Sequence, residues 1–397
     1  MFTSNIARPL PFAFALVAGA LLAACGGSDG GGGGATTPPT STGGGQTCTT
    51  DIYGTTSCVP NGNGTAFGGA GGGNYVANAL VSDTAATTAL HHDLNLVNAW
   101  GLAFNPQGFS WIANAGTGTS TLYDGNGVAQ SLVVTLPTGT DASGIVFNGT
   151  TDFSITENGV SGPSAFIFAT LQGQIAAWAP AVDGTHAFTI VDNKTAGAVY
   201  TGLAIDTGTG GDTIYAADFV KGTVDVFSGT FSPVTTAGGF TDPTLPAGYA
   251  PFGIQQLGDK IYVAYAQPDP TTHEKIGAGL GLVDVFDKQG NLLSHLIPAG
   301  GALNAPWGIA LAPANFGKFS NMLLVGNFGD GKINVYDPTT GAFVDTVKNN
   351  DGTPIVVPGL WALQFGNGIN SQPTNTLFYT AGPGGEAHGL YGRIDMN

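Results

Sequence analysis

The chain is poor in charge. Lys, Arg, Asp and Glu together make up 9% of its 397 residues, which excludes an architecture of long charged helices. Basic residues are the scarcest, ten against 26 acidic, and the formal net charge of -16 repels nucleic acid and anionic lipid headgroups. Cations, sugars and neutral polymers stay open as partners. Cysteine is nearly absent, at Cys25, Cys48 and Cys58 alone, too few for a thiolate metal cluster or a dense disulfide framework. The longest apolar run near the start, Phe12 to Leu22, is too short to span a bilayer and has the length of an export signal. What is abundant is Gly (65) and Pro (23), together with Thr, Asn and Val. That composition describes short strands joined by frequent turns, so an all-β fold is expected.

Residues 1–24 read as a lipoprotein signal peptide. They end Leu22-Ala23-Ala24-Cys25, a run resembling a bacterial lipobox, in which small residues precede a Cys that is cleaved to and acylated. Lipidation at Cys25 is expected, with export to the cell envelope and, from Gly26, outer-membrane sorting; the membrane is met only through the lipid anchor. Residues 25–74 are a Gly/Ser/Thr-rich tether with little to bury. In an oxidising compartment Cys48 and Cys58 are expected to close a small disulfide loop within it.

From residue 75 to 397 one pattern repeats. Trp100-Gly101-Leu102, Ser143-Gly144-Ile145, Thr201-Gly202-Leu203, Phe252-Gly253-Ile254 and Trp307-Gly308-Ile309 are joined by a degenerate sixth copy, Trp361-Ala362-Leu363. Successive copies lie 43 to 58 residues apart, the length of a four-stranded propeller blade with variable loops. A second apolar run follows each anchor, and a third, such as Leu282-Val283-Asp284-Val285-Phe286-Asp287, alternates as a half-buried strand does. The fourth strands are indistinct. The last repeat supplies only three strands, and Tyr75 to Ser82 is a spare apolar strand ahead of the first anchor. A six-bladed β-propeller closed by this N-terminal strand is therefore expected.

Several motifs resemble a known family. Asn95-Leu96-Val97-Asn98-Ala99-Trp100-Gly101, Tyr215-Ala216-Ala217-Asp218-Phe219, Phe240-Thr241-Asp242-Pro243, Leu324 to Gly331 and Thr380-Ala381-Gly382-Pro383 look like a family of exported bacterial propellers, uncharacterised in function, some with PEP-CTERM sorting tails. This chain reaches Asn397 without such a tail and has a lipobox instead. The resemblance implies the fold and an extracytoplasmic life, and no particular chemistry. A more distant similarity is to NHL-type propellers.

In a propeller the loops leading into first strands and out of second strands share one face, the usual binding mouth. Here those loops carry His91, His92, Asp93, Asp141, Asp218, Asp242, His273, Glu274, Asn327, Asp330, Glu386 and His388. His186 and His295 fall in outer strands, where packing or surface roles are expected. A divalent metal such as calcium or zinc is conceivable at the mouth, with Glu386 and His388 the best pair, two residues apart on a Gly-rich loop. Two solvated side chains would fit that spacing equally well. Asn327 and Asp330 read as a structural Asx turn, since a calcium loop would need further ligands at alternate positions. Trp100, Phe252, Trp307 and Trp361 precede the anchor in four blades, either as wedges between sheets or as a stacking platform for a flat ligand. A platform would be exposed and a wedge would not.

Two functions compete. One is a monomeric, surface-tethered binding or scaffold module for a glycan, polymer or protein; the other is a metal-assisted hydrolase or lactonase with its site at the mouth. The sequence holds no nucleophile elbow, phosphate-cradling loop or Cys-His arrangement, which favours binding. The long blade 4 insertion, Gln267 to Gly279, reads either as a lid or as a surface loop.

Overall fold

The computed structural model describes residues 75–397, apart from 209, 210 and 272, together with the backbone of two upstream strands, Gln46–Thr50 and Thr56–Pro60. The signal segment, Cys25 and most of the tether lie outside the described residues. The two upstream strands pair antiparallel with Cys48 opposite Cys58, the backbone register that a cross-strand disulfide requires.

Six sheets are arranged as the blades of a propeller. Blade 1 runs Ala99–Phe104, Ser110–Asn114, Thr119–Tyr123 and Ala129–Thr135, each strand antiparallel to the next. Blades 2, 4 and 5 repeat the same four-stranded order, while blade 3 has three strands among the described residues, Tyr200–Asp206, Thr213–Asp218 and Thr223–Ser228. Blade 6 takes three strands from the end of the chain, and Tyr75–Ser82 adds to its outer edge, antiparallel to Leu390–Met396. The first strands neighbour one another in a closed circle, from Ala99–Phe104 round to Leu360–Phe365 and back. Helical structure among the described residues is limited to two short turns, Lys194–Ala196 and Gly317–Phe319.

The anchor glycines explain how the circle closes. A Cβ on Gly101 would sit 2.5 Å from the Ser143 carbonyl oxygen, and one on Gly253 would sit 2.1 Å from that of Trp307. Neighbouring inner strands thus approach through space that no side chain can share. The hydroxyls beside two other anchors fasten the same seam: Ser143 Oγ donates to the Tyr200 carbonyl (2.6 Å) and Thr201 Oγ1 to that of Phe252 (2.8 Å).

Inner strands are buried on both faces, because each blade is sandwiched between two others. A hydrophobic cluster fills each gap between adjacent blades, and a further one lies on the axis. Two features depart from the repeat. Blade 2 carries an extra hairpin, Ser154–Glu157 with Val160–Pro163, between its first and second strands. In blade 3 the place of a fourth strand is taken by an irregular segment, residues 229–249, which packs Phe240 against Tyr215 and Phe286.

Candidate functional site

The axis is closed by aromatic rings. Trp100 and Trp361 stack with centroids 3.8 Å apart, Phe328 stacks on Trp361 at 4.1 Å, and Phe252 and Trp307 pack around them. Trp307 also reaches across the axis, its Nε1 donating to the Thr201 carbonyl at 2.8 Å. The axial cavity beside these rings measures about 20 Å³, room for roughly one water. Trp100, Phe252 and Trp361 are 1%, 0% and 0% exposed. They are wedges, and the platform reading is corrected for these three; Trp307 alone of the four keeps partial exposure.

Above the plug, loops from three blades converge. Asn98, leading into blade 1, accepts the Trp361 indole N–H at Oδ1 (3.0 Å) and donates Nδ2 to Glu386 Oε2 at 2.8 Å. Gly382 makes this possible, since a Cβ there would stand 2.3 Å from Asn98 Oδ1. The blade 4 insertion folds back as a small hairpin, Pro268–Asp269 with His273–Glu274, and is tied to blade 5 by Gly277 N–H donating to Asn304 Oδ1 at 2.7 Å. It buries Glu274 to 2% exposure while His273 stays exposed. Burial, reinforced by the nearby charges of Glu386 and Asp269, pushes the Glu274 carboxyl up to about 8. Asn98, His273, Ala305 and Glu386, all in loops of this face, hold left-handed backbone with φ of 47°, 68°, 45° and 67°. Non-glycine residues adopt that region at a cost that the surrounding structure must offset, and such strain concentrates at functional sites.

The other expected mouth residues are held by their own surroundings. His388 does not join Glu386: its Nδ1 lies 3.0 Å from Asp83 Oδ2, and the Gly389 N–H donates to the other oxygen of Asp83. The metal pair Glu386–His388 is thereby corrected, because one member faces Asn98 and the other the edge of blade 6. Asp218 is buried and accepts the backbone N–H groups of Val199 and Lys221; burial raises its carboxyl. Asn327 Nδ2 donates to the Ala302 carbonyl and to Asp330 Oδ1, and Asp330 in turn accepts from Lys332, so this is a self-bonded turn. Asp93 accepts the Tyr123 hydroxyl at 2.8 Å, His91 and His92 add a short parallel strand beside Val81 and Ser82, and Asp141 is exposed.

One cluster forms that loop and strand positions did not foretell. Asp242, grouped above with the mouth, and His295, placed above in an outer strand with a packing or surface role, meet Asp284 between blades 3 and 4. His295 Nδ1 lies 2.6 Å from Asp284 Oδ1 and 3.2 Å from Asp242 Oδ2. Asp284 and His295 are cross-strand partners in blade 4, whereas Asp242 arrives on the irregular segment of blade 3. Both aspartate side chains are fully buried, and burial together with the charge of Asp242 raises the Asp284 carboxyl against the opposing pull of His295. Oδ2 of Asp242 is buried without a hydrogen-bond partner, while the Tyr265 hydroxyl hydrogen-bonds the Asp284 carboxyl group. Among the described residues this is the only group of three or more metal-capable side chains that converges.

Fold and plug together define a six-bladed β-propeller with a closed axis and a capped mouth. No family model matches the chain. Uncharacterized protein R648 of Acanthamoeba polyphaga mimivirus is 32% identical over 329 residues, 80% of this chain and 79% of that protein. Uncharacterized protein L690 of the same virus is 32% identical over 289 residues, 69% and 75% of the two chains. The chain belongs to the family of these mimivirus proteins. Among solved structures, a protein of unknown function from Bacteroides thetaiotaomicron aligns over 81% of this chain and 76% of its own, with 11% identity and a TM-score of 0.50. The soluble aldose sugar dehydrogenase of Escherichia coli aligns over 81% and 100%, with 13% identity and a TM-score of 0.49. At such identities the likeness is one of fold.

Proposed function

We propose that the protein is a binding module whose ligand site is the capped mouth, and that the ligand is a neutral, hydroxyl-rich polymer such as a glycan. The observation that carries this reading is the electrostatic coupling of Glu274, buried under the blade 4 insertion, to Glu386, held by Asn98. At neutral pH, burial favours a protonated Glu274, while Glu386 accepts the Asn98 amide at Oε2. Acidic groups that give and take hydrogen bonds on one mouth suit a hydroxyl-rich ligand, and the acidity of the site rejects phosphates and nucleic acid. The insertion acts in this reading as a lid. With an export signal, Cys25 acylation and the tether of residues 25–74, the propeller would stand off the cell envelope as a monomer.

The test is calorimetric titration of the 59–397 fragment with a panel of neutral hexasaccharides based on glucose, mannose and N-acetylglucosamine. At least one is expected to bind, and Glu386→Gln to weaken it about tenfold, the loss of one charged hydrogen bond. Absence of binding across the panel, or an unweakened Glu386→Gln variant, overturns the glycan assignment. A second reading, hydrolysis, draws on the same raised acid, because a carboxyl that keeps its proton near neutral pH can serve as a general acid. It is recognised by product release from the bound hexasaccharide that disappears in Glu274→Gln.

A further inference from the structure

We propose that Asp242, Asp284 and His295 form a binding site for one divalent transition metal of the zinc class, which fastens the irregular segment of blade 3 to the outer strands of blade 4. This site is independent of the mouth.

The first argument is charge. Two aspartates sit fully buried around a single imidazole nitrogen. Even a protonated His295 leaves one negative charge uncompensated, and neither aspartate has a lysine or arginine partner among the described residues. Buried charge of that kind must be paired, protonated or ligated. A divalent cation with a neutral histidine brings the sum to zero.

The second argument is an orphan oxygen. Asp242 spends Oδ1 on its own turn, accepting both the N–H and the Oγ1–H of Thr244 at 2.7 Å, so only Oδ2 faces the cluster. That atom is buried and lies 3.2 Å from the His295 nitrogen without hydrogen-bond geometry, whereas Asp284 has the Tyr265 hydroxyl as a partner besides His295. Buried carboxylate oxygens rarely go unsatisfied in native structures.

The third argument is geometry. One ligand atom from each residue lies within 4.8 Å of the other two. Bonds of about 2.0–2.1 Å in a tetrahedral site put ligand atoms roughly 3.3 Å apart. The His295–Asp242 separation already fits, and the His295–Asp284 contact has to open by less than about 1 Å. His295 is 31% exposed, so its ring marks the side from which an ion enters and a water completes the coordination. An imidazole in the set selects against calcium and magnesium, which take oxygen ligands.

The location gives the ion its role. Asp284 and His295 are already fixed opposite each other in blade 4, while Asp242 belongs to a stretch that forms no strand, bridged to blade 3 where Pro233 meets Phe227 and tied to the blade 4 turn by the Gly238 and Phe240 N–H groups. A metal joining them adds a side-chain tie to these few backbone bonds.

The experiment uses the full chain stripped with a chelator, then titrated with zinc ion while binding and Tm are followed. One equivalent of zinc is expected to bind, raising Tm by about 5 °C at a hundredfold excess over Kd, and calcium ion is expected to do neither. Asp284→Asn and His295→Gln should each weaken zinc binding about 100-fold or more. The folded state of Asp284→Asn is not at risk, since the change removes buried like-charge repulsion, and its unliganded Tm should equal or exceed that of the parent. A Cys48→Ser, Cys58→Ser double variant should bind as the parent does. No zinc binding, binding unchanged in Asp284→Asn and His295→Gln, or binding lost with the two thiols would each overturn the site.

Discussion

A single carboxyl carries much of the pH behaviour expected here. Glu274 is raised from 4.5 to about 8 by burial and by its acidic neighbours, so the folded protein holds this proton more tightly than the unfolded chain does. The stabilisation this provides is complete below about 4.5 and is lost as pH rises toward 8. Its full size is on the order of a few kcal/mol. Urea unfolding at pH 5 and pH 9 measures it: the drop in stability between the two should be smaller in Glu274→Gln than in the parent. An equal drop in both would remove Glu274 from the account. At this scale the sequence was only half legible. It pointed to Glu274, Glu386 and Asn327 because loop position can be counted along a chain. It placed His295 in an outer strand, where the structure has it, but nothing local says that Asp242 of a neighbouring blade will arrive beside it. The aromatic residues were open to two readings for a similar reason, since a Trp before a Gly has the same letters whether its ring faces solvent or the axis.

Elements were more legible than residues. Second strands showed in the sequence as an apolar run after each anchor, Ser110–Asn114 and Thr213–Asp218 in the structure among them, because inner strands are buried on both faces. Fourth strands such as Leu292–Ile297 alternate with exposed residues and fade into the turns around them. In blade 3 there was little to find, because 229–249 is not a strand. The strand Tyr75–Ser82 is the element whose removal should matter most. Tyr75 is fully buried, donates its hydroxyl to the Phe316 carbonyl at 2.8 Å, and stacks on Phe319 with centroids 5.5 Å apart. Tyr75→Ala should cost about 3–5 kcal/mol, read as a lower urea midpoint with the slope unchanged. A loss below about 1 kcal/mol would mean that blade 6 holds without this contact.

For the whole molecule, composition and spacing were enough for architecture, and address is the matter left for experiment. If Cys25 carries the lipid, Cys25→Ser should move the protein from the membrane pellet to the soluble fraction, and a variant that still pellets would point to another anchor. The plugged axis also limits what the propeller can do. With Trp100 and Trp361 stacked across it, the axis is plugged by aromatic rings, and a ligand bound at the mouth is expected to enter and leave by that same face.

The joint in blade 6 has a consequence in time. Tyr75–Ser82 pairs with Leu390–Met396, so the first propeller strand to be made waits for nearly the last. Until synthesis and any translocation are almost finished, that strand has no partner and blade 6 keeps an open edge. Earlier blades can stack as they emerge, but the circle itself closes in one late, long-range step. If the chain is exported, this ordering is useful: the propeller stays open, and easier to thread, for as long as its tail has yet to arrive.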